Sequence, residues 1–130
     1  MPELRVHPSW RDKRWRTGFQ KLPAHKQRII ENSLRDLLLA LAKCRHPRFD
    51  GEFQRWSPSR WDVPRQQATA GDWVEYRLGD DENRGRVNIC FDGKEQVIYL
   101  VARTAIHDHT ALRELVAAFR VPRKPEGPAR

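Results

Sequence analysis

Residues 85–102 read GRVNICFDGKEQVIYLVA, and this stretch decides the fold. Its first seven residues alternate, so that Val87, Ile89 and Phe91 share one face of a predicted strand. The dipeptide DG follows and is a strong turn signal. The last seven residues, QVIYLVA, are apolar on both faces, which is typical of a central strand. The stretch therefore predicts two neighbouring antiparallel strands.

Two further segments extend this predicted hairpin into a sheet. Residues 72–78 (DWVEYRL) alternate as well, with Val74, Tyr76 and Leu78 on one face. The polar segment GDDENRG that follows them predicts a turn. Near the N-terminus, ELRVH alternates and predicts a short strand. We therefore expect a three-strand antiparallel meander together with one short N-terminal strand.

Two helices are predicted between the N-terminal strand and the meander. Ser9 can cap the first helix, in which Trp15 and Phe19 lie four residues apart on one side. Pro23 marks a turn into the second helix, roughly Ala24–Cys44. Its predicted buried stripe has helical spacing and consists of Ile30, Leu34, Leu37, Leu38 and Leu41.

A third helix is predicted from about Thr110, after the last strand. Its core-facing residues are predicted to be Leu112, Leu115, Val116 and Phe119. Residues 120–130 (RVPRKPEGPAR) read as a basic, flexible tail. The order strand, two helices, three-strand meander, helix predicts an α+β fold with a single domain over residues 1–119.

The segment Arg48–Gly71 has no regular pattern and is longer than a usual connection. It contains Trp56 and Trp61 within an aromatic and basic cluster. The two rings can stack on nucleic-acid bases or pack against the sheet and a helix, and packing is the more frequent outcome for tryptophan.

The composition points to an anionic partner. The 130 residues carry a net charge of +8, which suits nucleic acid, an acidic protein segment or a membrane surface. No apolar run approaches the roughly 20 residues of a membrane span. Two cysteines without a CxxC motif, and no signal-peptide pattern, fit a reduced, cytoplasmic protein. The N-terminal cations form either a solvated face or a nucleic-acid track: Arg11, Lys13, Arg14, Arg16, Lys21, Lys26 and Arg28.

His107 and His109 follow the last predicted strand, with Asp108 between them. Histidine titrates near neutrality and can transfer protons, which makes a catalytic role plausible on chemical grounds. Asp108 or Thr110 can equally cap the third helix, which would make this a structural segment. A metal role requires a third or fourth ligand that the sequence does not place nearby.

The chain resembles the RelE/ParE superfamily of small bacterial toxins in the order LRVHPSW, basic helix pair, WVEYRL, RGRVNICF, VIYLVAR. The best local match is Tyr76-Arg77-Leu78 followed by a turn and Arg86-Val87. In the RNA-cleaving members that second arginine contacts the scissile phosphate. The resemblance therefore implies this role for Arg86, and a weaker phosphate contact for Arg77. It also implies a cognate antitoxin, which should carry an acidic segment here.

Several residues depart from the family pattern. Glu75 stands where the best-studied members have a second lysine, and their terminal catalytic tyrosine has no counterpart after Ala105. Several RNA-cleaving relatives place a histidine where His107 and His109 stand. The expected catalytic residues are therefore His107, His109 and Arg86. The expected phosphate contacts are Arg77, Arg103, Arg14 and Arg28, with Arg103 near the histidines and facing Arg86 on the neighbouring strand.

Three functions agree with these observations. The first is a toxin that binds and cleaves mRNA at the ribosome as an endoribonuclease without a metal or other cofactor. The second is a ParE-like toxin that inhibits a protein target such as gyrase. The third is a basic nucleic-acid-binding domain without catalysis.

Overall fold

The alternating segments form one mixed sheet. The computed structural model describes residues 2–48, 50–60, 71–79, 85–106 and 108–119. Within them the sheet has five strands: β1 (Glu3–Val6), β2 (Ser59–Arg60), β3 (Asp72–Leu78), β4 (Gly85–Asp92) and β5 (Val97–Thr104). Their order is β1-β5-β4-β3-β2, with β1 parallel to β5 and the other neighbours antiparallel.

Three α-helices accompany the sheet: α1 (Lys13–Gln20), α2 (Ala24–Lys43) and α3 (His109–Ala118). Two 3-10 helices, Pro8–Arg11 and Gly51–Trp56, lie in the connections. The predicted α+β class, the meander and the three helices are thus confirmed. Within the described ranges, no helix combines the length and apolar character that crossing a membrane requires.

Two local predictions were wrong. Ser9 does not cap α1, because its hydroxyl donates to the carbonyl of Val101 in β5, whereas the Asp12 carboxylate accepts from the Arg14 amide at 2.9 Å and caps the helix. The segment predicted to be irregular contains a 3-10 helix and β2. Its Trp56 is buried and donates to the Ser33 hydroxyl at 3.3 Å, which confirms the packing interpretation for that ring.

Each face of the sheet carries its own core. On one face, the predicted stripe of α2 covers Val74, Tyr76, Leu78, Val87, Ile89 and Phe91. On the opposite face, α3 covers Trp73, Cys90, Val97, Tyr99 and Val101. The ring of Phe119 fixes the end of α3, with centroid distances of 4.8 Å to His7, 5.1 Å to Trp73 and 5.6 Å to Tyr99. Burial of such aromatic rings contributes several kcal/mol, of order 3–5 for a full truncation.

A β-bulge interrupts the pairing of β4 with β5. Ile89 pairs with Leu100, but Asn88 pairs with Ala102, so β5 has one extra residue at Val101. Such an extra residue reverses the alternation of the strand beyond it. Val101 and Ala102 both belong to the α3-side core as a result. The hydroxyl of Ser9 provides the Val101 carbonyl with a hydrogen bond at this irregular position.

Several predicted features lie outside the described residues. These are His107, Trp61, residues 80–84 of the predicted turn, and the tail 120–130. The expectations for them stay predictions.

Candidate functional site

The α3 face of the sheet brings two of the predicted site residues, Arg77 and Arg86, together. Arg77 pairs directly with Arg86 across β3 and β4, and Arg86 pairs with Thr104 across β4 and β5. Residues directly opposite each other in a sheet share one face. Arg77 is exposed and Arg86 is 6% exposed, so the row runs from the surface into the interior.

Arg86 is held by a buried carboxylate. Its Nε lies 3.4 Å from Oε1 of Glu75, and both side chains are almost fully buried. The amide of Asn88 donates to Oε2 of the same carboxylate at 3.5 Å. The Nη1 group of Arg86 donates to the carbonyl of Gly85 at 3.2 Å. The predicted phosphate-binding guanidinium is therefore bound to an internal anion in this structure.

Burial and the neighbouring charges shift the pKa of Glu75. Burial raises its pKa, and the positive charge of Arg86, the amide of Asn88 and the charges of His109 and Arg77 counteract only part of that increase. A carboxyl group with a raised pKa is better matched to accept a proton near neutral pH than an ordinary exposed glutamate. Glu75 is thus a candidate proton acceptor.

Two buried oxygen atoms lie next to the pair. Oδ1 of Asn88 and Oγ1 of Thr104 have no hydrogen-bond partner within the described part of the chain. Buried polar atoms usually have one, so each exception calls for an explanation such as strain, a catalytic role or a bound group. The Thr104 hydroxyl can donate as well as accept, and therefore suits a phosphate oxygen.

The start of α3 lies at the rim of this site. The Asp108 carboxylate accepts from the Ala111 amide at 3.0 Å and caps the helix, which confirms the capping interpretation of that residue. His109 is the first residue of α3 and is exposed. Its charge acts on Glu75. His109 is thus exposed to solvent and acts electrostatically on the buried carboxyl group of Glu75.

Arg103 does not face Arg86, and that expectation was wrong. Because of the bulge, Arg103 pairs with Val87 and lies on the α2 side of the sheet. Its Cζ lies 4.7 Å from the ring centroid of Trp10 and 4.6 Å from that of Trp15. Regular pairing would have placed Arg103 directly opposite Arg86, as the sequence suggested.

The other two predicted phosphate contacts are not paired within this row, although Arg14 lines a cavity together with Thr104 and Asp108. Arg14 makes ion pairs with Asp12 at 2.8 Å and with Glu114 of α3 at 2.6 Å, so its charge is already compensated. Arg28 is exposed on α2, the helix that covers the opposite face of the sheet. The structure therefore groups Arg77, Arg86 and His109, places Arg14 at a cavity beside Thr104, and leaves Arg28 and Arg103 on the α2 side of the sheet.

Sequence reasoning treated Glu75 only as a departure from a family pattern. Its importance depends on the register that places it diagonally from Arg86 and opposite Asn88. One signal was available, because Glu75 lies between the apolar residues Val74 and Tyr76 in a strand predicted to be covered. A charged residue at such a position generally requires a partner.

The two thiols offer no nucleophile. Burial raises the pKa of Cys44 to about 11 and that of Cys90 to about 12, so both stay protonated at neutral pH. In the ranges that the structure describes, no three histidine, cysteine or carboxylate side chains are grouped to hold a metal ion. Proton transfer and phosphate stabilisation are the chemistry that the grouped residues can perform.

Comparison with known proteins gives little beyond these observations. The chain matches no family profile and no curated protein. Among solved structures it is similar to the archaeal RelE–RelB complex from Pyrococcus horikoshii OT3, with 17% identity over 82% of this chain and 96% of that one, and a TM-score of 0.44. No conclusion about function follows from this likeness.

Proposed function

We propose that this chain is the toxin of a toxin–antitoxin system and that it binds mRNA and cleaves it at the ribosome. The observation that carries the proposal is the grouping of Arg77, Arg86 and Glu75 on one face of the sheet, with His109 of α3 acting electrostatically on Glu75. These residues include a proton acceptor, a proton donor and two guanidinium groups. The net charge of +8 favours both RNA and an antitoxin with an acidic segment.

The proposed reaction is attack of a ribose 2′-hydroxyl on the adjacent phosphorus. Glu75 takes the hydroxyl proton as the new P–O bond forms, and its raised pKa suits this transfer. Arg86 and Arg77 stabilise the negative charge that develops on the phosphate. His109 or His107 gives a proton to the 5′ oxygen as the old P–O bond breaks, which leaves a cyclic phosphate and a 5′-hydroxyl end.

Access to Arg86 sets a condition on this reaction. Because its side chain is almost fully buried against Glu75, a phosphate reaches it only after neighbouring parts of the chain move. Arg77 is exposed in the same row and provides the first contact. The phosphate then replaces the Glu75 carboxylate at Arg86, and the released carboxylate accepts the proton of the 2′-hydroxyl.

The burial of Arg86 also favours a second candidate, a toxin that blocks a protein target without cleaving RNA. In that case the Arg86–Glu75 pair is only a structural element of the sheet, and His109 is an ordinary residue at the start of α3. The two candidates differ in what the histidines do.

The test is cleavage of a reporter mRNA, with and without ribosomes, by the double variant His107→Ala/His109→Ala. Loss of a general acid typically costs about 10²- to 10⁴-fold in rate. His25→Ala is the matched control, because His25 is exposed on α2 away from the row. Thermal unfolding establishes that each variant is folded. A folded double variant that cleaves at the wild-type rate contradicts the catalytic role, and toxicity without RNA loss selects the second candidate.

A further inference from the structure

The side chain of Arg103 forms a second cationic centre on the α2 side of the sheet. It lies between the rings of Trp10 and Trp15, with Cζ at 4.7 Å and 4.6 Å from their centroids. Its Nε donates to the carbonyl of Trp10 at 3.1 Å. Two rings and a carbonyl fix this guanidinium in place without neutralising its charge.

The charge of Arg103 has no carboxylate partner in the described ranges. Its contacts there are the two rings and the Trp10 carbonyl. The carboxylate of Asp12 lies nearby but is bound by Arg14 at 2.8 Å. Burial, and then repulsion from Arg11, lower the pKa of Arg103 to about 10, so the group stays charged at neutral pH while it is partly desolvated. A partly desolvated cation without a counter-ion favours binding of an external anion.

An open cavity of about 380 Å³ lies in front of this guanidinium. It is lined by four cationic side chains, one carboxylate and one aromatic ring, which are Arg11, Lys13, Arg16, Arg103, Asp12 and Trp15. The three cations other than Arg103 are exposed at its rim. The arrangement combines one fixed guanidinium with several flexible cationic side chains and an aromatic ring. As a ligand, a nucleotide suits this combination better than an isolated carboxylate does.

We propose that this cavity binds a phosphate group of single-stranded RNA, at a site separate from the Arg86 row. Several cations around one cavity match a chain of phosphates, because neighbouring phosphates can engage the rim while one reaches Arg103. The site requires neither Glu75 nor the histidines, so it stands whether or not the chain cleaves RNA. It gives Arg103 a phosphate contact on the opposite face from the one that the sequence predicted.

The experiment measures binding of an eight-nucleotide 2′-O-methyl RNA, which lacks the hydroxyl needed for cleavage, by fluorescence anisotropy over a range of salt concentrations. The test variant is Arg11→Ala/Arg16→Ala, because both side chains are exposed and their loss leaves the core intact. The matched control is Arg35→Ala/Arg45→Ala, which removes the same charge from exposed positions outside the cavity. We expect the test variant to bind about tenfold more weakly. Its salt slope should fall by about 1.4, at about 0.7 per lost phosphate contact.

The outcomes separate the possible ligands. Competition by inorganic phosphate or adenosine monophosphate supports a site that binds a phosphate group from any source. Competition by RNA alone supports a site that requires a polynucleotide. Equal loss of affinity in the test and control variants overturns the proposal, because net charge alone then explains binding. No loss in either variant also overturns it, because the cavity then contributes nothing to binding. Normal RNA binding with a weakened antitoxin complex also overturns it, since the cavity would then contact protein. Arg103→Gln gives an independent check on the centre of the site.

Discussion

Arg86 and Arg103 lie on neighbouring strands and differ in how the protein compensates their charge. Arg86 is buried against the carboxylate of Glu75, whereas Arg103 is half-buried between Trp10 and Trp15. A carboxylate neutralises a guanidinium, so the pair exerts little electrostatic attraction on an anion in solution. Aromatic rings stabilise a guanidinium but leave its net charge in place. The first arginine therefore belongs to a closed ion pair, and the second stays able to attract an anion from outside.

The largest expected effect is that of breaking the closed pair. Arg86→Met leaves the Glu75 carboxylate buried without its cation, and such a change typically costs about 3–5 kcal/mol of unfolding free energy. Urea unfolding followed by circular dichroism measures this loss. The double variant Glu75→Leu/Arg86→Met removes both charges and should recover most of it. A loss below about 1 kcal/mol for the single variant would show that the pair is well hydrated.

A smaller effect is expected for the arginine between the rings. Arg103→Met removes two contacts of cation and ring, each of about 0.5–1 kcal/mol at a partly exposed site. Relief of the desolvation of Arg103 offsets part of that loss, so the net destabilisation should stay below the sum of the two contacts, about 1–2 kcal/mol. Arg16→Met serves as the control at an exposed position and should change stability by less than about 0.5 kcal/mol. If Arg103→Met costs as much as Arg86→Met, the contrast between the two environments is wrong.

The smallest effect concerns pH and Glu75. Because its pKa is raised in the folded state, mainly by burial, the folded chain binds this proton more tightly than the unfolded chain. Its contribution to stability is therefore fully present below the unfolded value of 4.5 and is lost as pH rises through the folded value. Glu75→Gln lacks this titration. The difference in unfolding free energy between wild type and variant should fall with rising pH above 4.5, and a flat difference would contradict the raised pKa.

Much of the fold was predictable because it depends on local periodicity. The alternation of residues 85–91 and the stripe of α2 fixed which side chains face the core, and both were confirmed. The candidate site was less predictable because it depends on register between strands. Nothing in VIYLVAR signals the extra residue at Val101, so regular pairing was the natural expectation and Arg103 was placed on the wrong face. The pairing of Glu75 with Arg86 is hidden in the sequence for the same reason.

The bulge at Val101 also bears on how such a sequence can change over evolutionary time. Loss of the codon for Val101 would restore continuous pairing without changing a partner, so that Arg103 would stay opposite Val87 and Thr104 opposite Arg86. Closing the bulge with every residue kept would instead bring Arg103 opposite Arg86. Three guanidinium groups would then lie around a single carboxylate, and Trp10 and Trp15 would lose their cation. A deletion at the bulge therefore preserves the distribution of charge between the two faces, whereas a change of register does not.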